Sequence, residues 1–418
     1  MNKFTVTALS WLAAAALVFP SAALEAVEVK PRSDDEVIET LPALGSLVAE
    51  QRRQRRQLAA APRDAATALA LSKSTLERAR SDGDARLAGQ ALGVLRGWDG
   101  DDKAPAEIRM QRATLLQHLH RFDAAQRELE VLVREQPRHS QAWLTLATLH
   151  RVQGRYEESD AACARLSAAG QPLYGGACIT ENRALRGEFD AARRRFEALV
   201  GQAPGNPGWA AWIRTSLGEL ELRAGRLDAA VTQLQAALRL ERDPYTRLAL
   251  VDALIEGRRF TEAQTQLAGA GDGDGALLRR AIVTQALGTA DAAEHKRVLA
   301  ERYAQAALRP DADLHARERA RFALEVERDP PRALELARSN LLTQREAIDL
   351  VLMHRAARAA GDEQALAEVA ALAQRIGLRD MRLGPPAVKA PPSDIGVRQG
   401  LAGPLTPSHH PSARWGKA

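Results

Sequence analysis

SQAWLTLATLHRVQGRYEESDAACARLSAAGQP, residues 140–172, reads as two helices with a reversal between them. Gly154 stands where the first helix must stop. The chain turns back there through a positive φ, which glycine takes at no steric cost. Two places on, Tyr156 is bulky and packs between the helices. Ser159 is small and lets them approach closely. Cys163, four further, returns to the same side, because intervals of three and four mark one helical face. Pro172 closes the unit, since proline cannot continue a helix interior.

The same signal recurs along the chain. His120-Arg121-Phe122, Gly187-Glu188-Phe189, Gly225-Arg226-Leu227 and Arg258-Arg259-Phe260 repeat the reversal, each followed by a small residue: Ala125, Ala192, Ala230 and Ala263. Leu129, Phe196, Leu234 and Leu267 take the place of Cys163, and Pro137, Pro204 and Pro244 that of Pro172. The bulky residues at 122, 156, 189, 227 and 260 are spaced by 34, 33, 38 and 33. A fixed period of this size marks an array of helical hairpins. The step of 38 predicts a longer loop near Gly205–Gly208, and Gly176 stands where a large apolar residue is expected.

With Trp143, Leu146, Ala147, Gly154, Tyr156 and Pro172 near its signature places, this pattern resembles the tetratricopeptide-repeat family, most clearly across 106–267. The resemblance implies an all-α superhelical solenoid of antiparallel helix pairs, each leaning only on its neighbours, with first helices lining the concave side. It also implies a protein or extended peptide as partner. On this chain the usual contact positions fall at Gln117, His118, Thr148, Arg151, Glu181, Trp212, Glu219, Arg223, Tyr245 and Asp252. No clamp of paired Asn and Lys for a C-terminal carboxylate is evident.

Outside this centre the pattern degenerates. Helices are expected over Leu44–Ala60, Arg63–Arg80 and Ala85–Trp98, and beyond Gly275 over Ala276–Ala286, Ala290–Leu308, Leu314–Glu327, Pro331–Leu341, Gln344–Ala359 and Glu363–Ile376. The solenoid is thus bounded at 44–383. Residues 24–43 read as an extended segment. Residues 384–418 hold seven Pro and five Gly without helical period, the composition of a disordered tail.

The first residues look like an address. Lys3 precedes an uncharged, mostly apolar stretch from Phe4 to Phe19, Pro20 breaks it, and Ser21 and Ala23 occupy the small positions of a secretory cleavage site. This predicts a signal peptide over 1–23, cut after Ala23, and a periplasmic or secreted protein. The alternative is an uncleaved anchor. No other apolar run approaches a membrane span. Export gives meaning to Cys163 and Cys178, the only cysteines, 15 apart. In an oxidising compartment they are expected to pair, against the alternative of two buried thiols.

Charge excludes more than it assigns. The 418 residues carry 58 basic and 53 acidic groups, a net charge of +5, with the signs interspersed and only 4% aromatic residues. A nucleic-acid surface needs a basic face with interleaved aromatics, and the run Arg52, Arg53, Arg55, Arg56 reads as a solvated helix face. No nucleophile elbow, phosphate loop or zinc helix occurs. Gly269–Gly275 reads as a flexible loop. Asp99, Asp101 and Asp102 lack the calcium-loop pattern, with Lys103 and Ala104 at the places of the ligand and the glycine. His409-His410 read as polar tail. The expectation is a non-catalytic scaffold without metal or cofactor, the alternative being an envelope accessory or carrier holding a small molecule or metal.

Overall fold

The computed structural model describes residues 46–82, 85–202, 205–308 and 316–384. The predicted signal peptide, the extended segment and, past Gly384, the predicted tail lie outside the described residues. Contacts divide the chain between Arg53 and Gln54. From the first unit only the opening turns of α1 (Ser46–Ala60) are described, where Arg53 pairs with Glu50 at 2.5 Å. The second unit holds everything that follows.

Among the described residues of that unit every regular element is helical. The predicted helices form as α2 (Ala65–Asp82), α3 (Ala85–Val94), α4 (Ala106–His118), α5 (Phe122–Glu135), α6 (Ser140–Val152), α7 (Tyr156–Ala168), α8 (Pro172–Leu185), α9 (Phe189–Val200), α10 (Pro207–Arg223), α11 (Leu227–Leu240), α12 (Pro244–Glu256) and α13 (Phe260–Leu267). Then come α14 (Asp274–Leu287), α15 (Ala292–Ala307), α16 (Ala316–Phe322), α17 (Pro330–Asn340), α18 (Ala347–Ala360) and α19 (Glu363–Ile376).

Each reversal is built alike. His120, Gly154, Gly187, Gly225 and Arg258 all have positive φ, from 55° to 94°. The following amide donates to the carbonyl five residues back: Arg121 to Leu116, Arg155 to His150, Glu188 to Arg183, Arg226 to Glu221 and Arg259 to Leu254, at 2.8–3.1 Å. This left-handed cap satisfies carbonyls that the ending helix leaves open. The small residues Ala125, Ser159, Ala192, Ala230 and Ala263 are at most 1% exposed. Their partners Leu129, Cys163, Phe196, Leu234 and Leu267 are buried as well. Neighbouring helices pack in chain order from α2 to α15 and again from α16 to α19, and the first helices α4, α6, α8, α10, α12 and α14 also touch one another in succession, which makes them the inner layer.

Four expectations need correction. The long step near Gly205 is shared. α9 ends at Val200, and Pro207 and Gly208 already belong to α10, whose start is capped by the Asn206 side chain accepting from the Trp209 amide at 3.0 Å, so part of the extra length is helix. The helix expected over Ala85–Trp98 stops at Val94 and continues as a 3-10 turn, Arg96–Trp98. The helix expected to Glu327 widens to a π turn over Ala323–Glu327 and ends on Arg328 at φ 61°.

The largest correction concerns neighbour-only packing. The C-terminal helices return to the middle of the array. The Arg345 amide donates to the Val152 carbonyl at 2.7 Å, and the Arg379 amide to that of Leu185 at 2.8 Å. Tyr156 and Leu185 share one apolar core with residues of α16 to α19. The reason is steric as well as apolar. A Cβ on Gly154 would lie 3.1 Å from Ile376 Cδ1, and one on Gly187 2.8 Å from Arg379 Cγ, so bare backbone at the reversals lets the C-terminal chain lie against them.

Candidate functional site

The C-terminal ends of α6, α8 and α10 and the length of α12 line a cavity of about 370 Å³, and α14, α16, α18 and Arg382 complete its wall. Among the described residues seven arginines and six carboxylates line it, beside Tyr156, Tyr245 and a run of aliphatic side chains. Six of the ten sequence-predicted positions are among them: Arg151, Glu181, Glu219, Arg223, Tyr245 and Asp252. Gln117, His118, Thr148 and Trp212 are not. Thr148 donates to the Leu144 carbonyl at 3.0 Å, and Trp212 stacks on Tyr174 with centroids 5.6 Å apart.

Most of these charges are already committed within the chain. Arg151 donates to Glu181 at 2.6 Å and, through Nε, to Asn182 Oδ1 at 2.8 Å. Asn182, fully buried, donates in turn to Ser159 Oγ at 2.9 Å and Asp160 at 2.8 Å. Around this network Cys163 on α7 and Cys178 on α8 are disulfide-bonded, with Cα atoms 5.7 Å apart. The bond therefore joins adjacent repeats. It also lies where α8 runs close against α7: a Cβ on Gly175 would lie 2.7 Å from the Cys163 carbonyl oxygen.

Asp252 joins the array to its C-terminal part. It accepts from Arg279 on α14 and, at 2.7 Å, from Arg321 on α16, which also pairs with Glu325 at 3.2 Å. Burial would raise the Asp252 carboxyl, but the two guanidiniums outweigh it and hold it below its ordinary value. Arg317 is held by Asp349 at 2.5 Å, Arg355 by Glu325 at 2.9 Å and Arg382 by Asp380 at 2.6 Å. Glu219 accepts the hydroxyl of Tyr245, which is 63% exposed at the cavity rim. Burial pushes the Glu219 carboxyl up, and that carboxylate in turn pushes the Tyr245 hydroxyl up.

Sequence reasoning did not find Tyr156, Arg317, Arg321, Glu346 or Arg382 at this site. Tyr156 carries a local signal, its place in the repeat, but that signal reads as packing. The other four belong to the C-terminal part of the chain and reach the cavity only because that part returns. Asn182 was missed too; a polar residue on a first helix gives no sign of burial. Among the described residues no set of three metal-ligating side chains converges, and no helix is long and apolar enough to cross a membrane.

The tetratricopeptide-repeat family model matches residues 110–172, 186–245 and 215–275. No match was found among curated proteins. Similar solved structures include pilF of Pseudomonas aeruginosa, at 18% identity over 47% of this chain and 91% of that one, with a TM-score of 0.34. A thermophilic repeat protein of Thermus thermophilus aligns at 21% identity over 44% of this chain and 99% of its own, TM-score 0.36. One from Parabacteroides merdae aligns at 12% over 74% and 92%, TM-score 0.38.

Proposed function

From the premise that this chain belongs to the tetratricopeptide-repeat family, with its repeats at 110–275, we propose a non-catalytic periplasmic scaffold that binds another protein along the inner face of its first helices. The observation that carries this reading is the inner layer itself. Consecutive first helices touch one another, so the inward side chains that lie outside the cavity, Gln117 and Thr148 among them, are set in place before any partner arrives. Preorganisation of that kind lowers the ordering cost of binding. The disulfide supports the exported location, because such bonds persist in oxidising compartments.

The test uses a photo-crosslinking side chain at Gln117 or Thr148, both outside the cavity, with exposed Arg194 on α9 as control. A discrete protein adduct from the inner positions and none from Arg194 is expected. Equal labelling from all three would remove the inner face as the docking surface. Location has its own test. Thiol labelling of the denatured, unreduced protein should find no free cysteine, and fractionation should place the mature chain outside the cytoplasm. Charge reversal at Arg151 is a poor probe, since it breaks a half-buried ion pair and the bond to buried Asn182, and destabilises the fold before it reports on binding.

A further inference from the structure

Of the seven arginines lining the cavity, six have a carboxylate partner, and Arg223 has none among the described residues. It is only 7% exposed, and no group of the described chain accepts from its Nε or Nη2. Glu219, one turn earlier on α10, exerts its field on Arg223 but accepts its hydrogen bond from Tyr245. A second donor is also unspent: Tyr156 lines the same cavity, is 3% exposed, and its hydroxyl has no partner in the described chain. Arg223 and Tyr156 line one cavity, from α10 and α7.

An unpaired buried guanidinium is costly, so folds rarely keep one without an anion to meet it. A planar fork with its Nε and Nη2 unspent, in one cavity with an unspent hydroxyl, suits an oxyanion, carboxylate or phosphate, held by charge-assisted bonds. The rest of the lining is different in kind. Leu222, Leu248, Ile255 and Val351 offer an apolar wall. The volume of about 370 Å³ lies in the range of small-molecule sites.

We propose that this cavity binds a small organic anion whose oxyanion head accepts from Arg223 and Tyr156 and whose aliphatic body lies along Leu222, Leu248, Ile255 and Val351. The inference is independent of protein docking, because the cross-linking positions Gln117 and Thr148 lie outside the cavity.

Calorimetric titration of the purified full chain with octanoate, octyl phosphate and octan-1-ol tests it. At least one of the two anions should bind one to one, about tenfold or more tighter than the alcohol, which shares the body and lacks the charge. The better anion identifies the head group. Arg223→Met should weaken that anion about tenfold or more while leaving the melting temperature level or higher, since an unmatched buried charge is gone. Tyr156→Phe should weaken it several-fold. If Arg223→Met does not fold, Arg223→Lys, which keeps the charge and loses the fork, should weaken binding without loss of structure. Failure of both anions to bind, equal binding of octan-1-ol, or unchanged affinity in the folded Arg223 and Tyr156 variants would overturn the proposal.

Discussion

Arg258 sits at φ 56° in the reversal between α12 and α13, where three of the other repeats place glycine. A side chain there crowds the following carbonyl, at about 1–2 kcal/mol. The residue is exposed, so little besides backbone geometry is at stake. Arg258→Gly is expected to stabilise by about 0.5–1 kcal/mol, the relieved strain less glycine's extra unfolded freedom. Gly225→Ala, whose Cβ would meet Met381 at an ordinary 3.6 Å, is expected to lose about 1 kcal/mol. Urea denaturation of the pair decides it; changes of the same sign would refute the backbone account. Two histidines set a pH response. Burial lowers His150, helped by Arg155, and lowers His354, helped by Arg358. The unfolded chain then takes up protons that the fold refuses. Stability is therefore full above the ordinary histidine value near 6.5 and falls as pH drops below it. Glu219, with its raised carboxyl, works in the opposite direction. Comparison with His150→Gln/His354→Gln isolates the imidazoles: melting temperature should fall less between pH 7 and pH 5.5 in that variant.

Adjacent glycines in α8 have opposite meanings. A Cβ on Gly175 would collide with Ser167 Oγ and the Cys163 carbonyl oxygen, whereas one on Gly176 meets only the far end of Arg195 at 3.5 Å. Gly175→Ala is expected to cost about 1–3 kcal/mol through overpacking against α7. Gly176→Ala should be neutral or stabilise by up to about 1 kcal/mol, through helix propensity alone. Denaturation midpoints of the two variants check this, and equal effects would mean that the α7–α8 spacing is not set by Gly175. The departure from the repeat pattern at Gly176 was visible in the sequence. The reason for a small residue at Gly175, close approach of two helices joined by a disulfide, required their distance.

At the scale of the whole molecule, the C-terminal return decides the behaviour. In an array with neighbour-only contacts, losing the last helix would loosen only the adjacent hairpin. Here Ile376 lies against Gly154, and the Arg379 amide bonds to Leu185. Truncation after Ala360 is expected to lower the melting temperature and to speed amide exchange around residues 150–189, far upstream in the sequence. Unchanged protection there would show that the return contacts contribute nothing to stability. The same packing turns a stretch of open groove into the wall of a cavity, so Arg321 and Asp252, 69 positions apart, form one ion pair.

The hairpin period, the reversals and the small residues at each helix crossing were all readable in the chain, because a helix face and its turn are specified within a dozen neighbouring residues. So was the pairing of Cys163 with Cys178, whose short separation keeps both on adjacent helices. Six of the inner-face positions were found for the same reason: a residue's place in its repeat determines its side of the helix. What those positions face was decided by tertiary structure. Whether Arg223 meets solvent, a carboxylate or a closed space depends on where α16 and α18 come to rest, and that depends on apolar contacts between residues far apart in sequence, which no local pattern encodes.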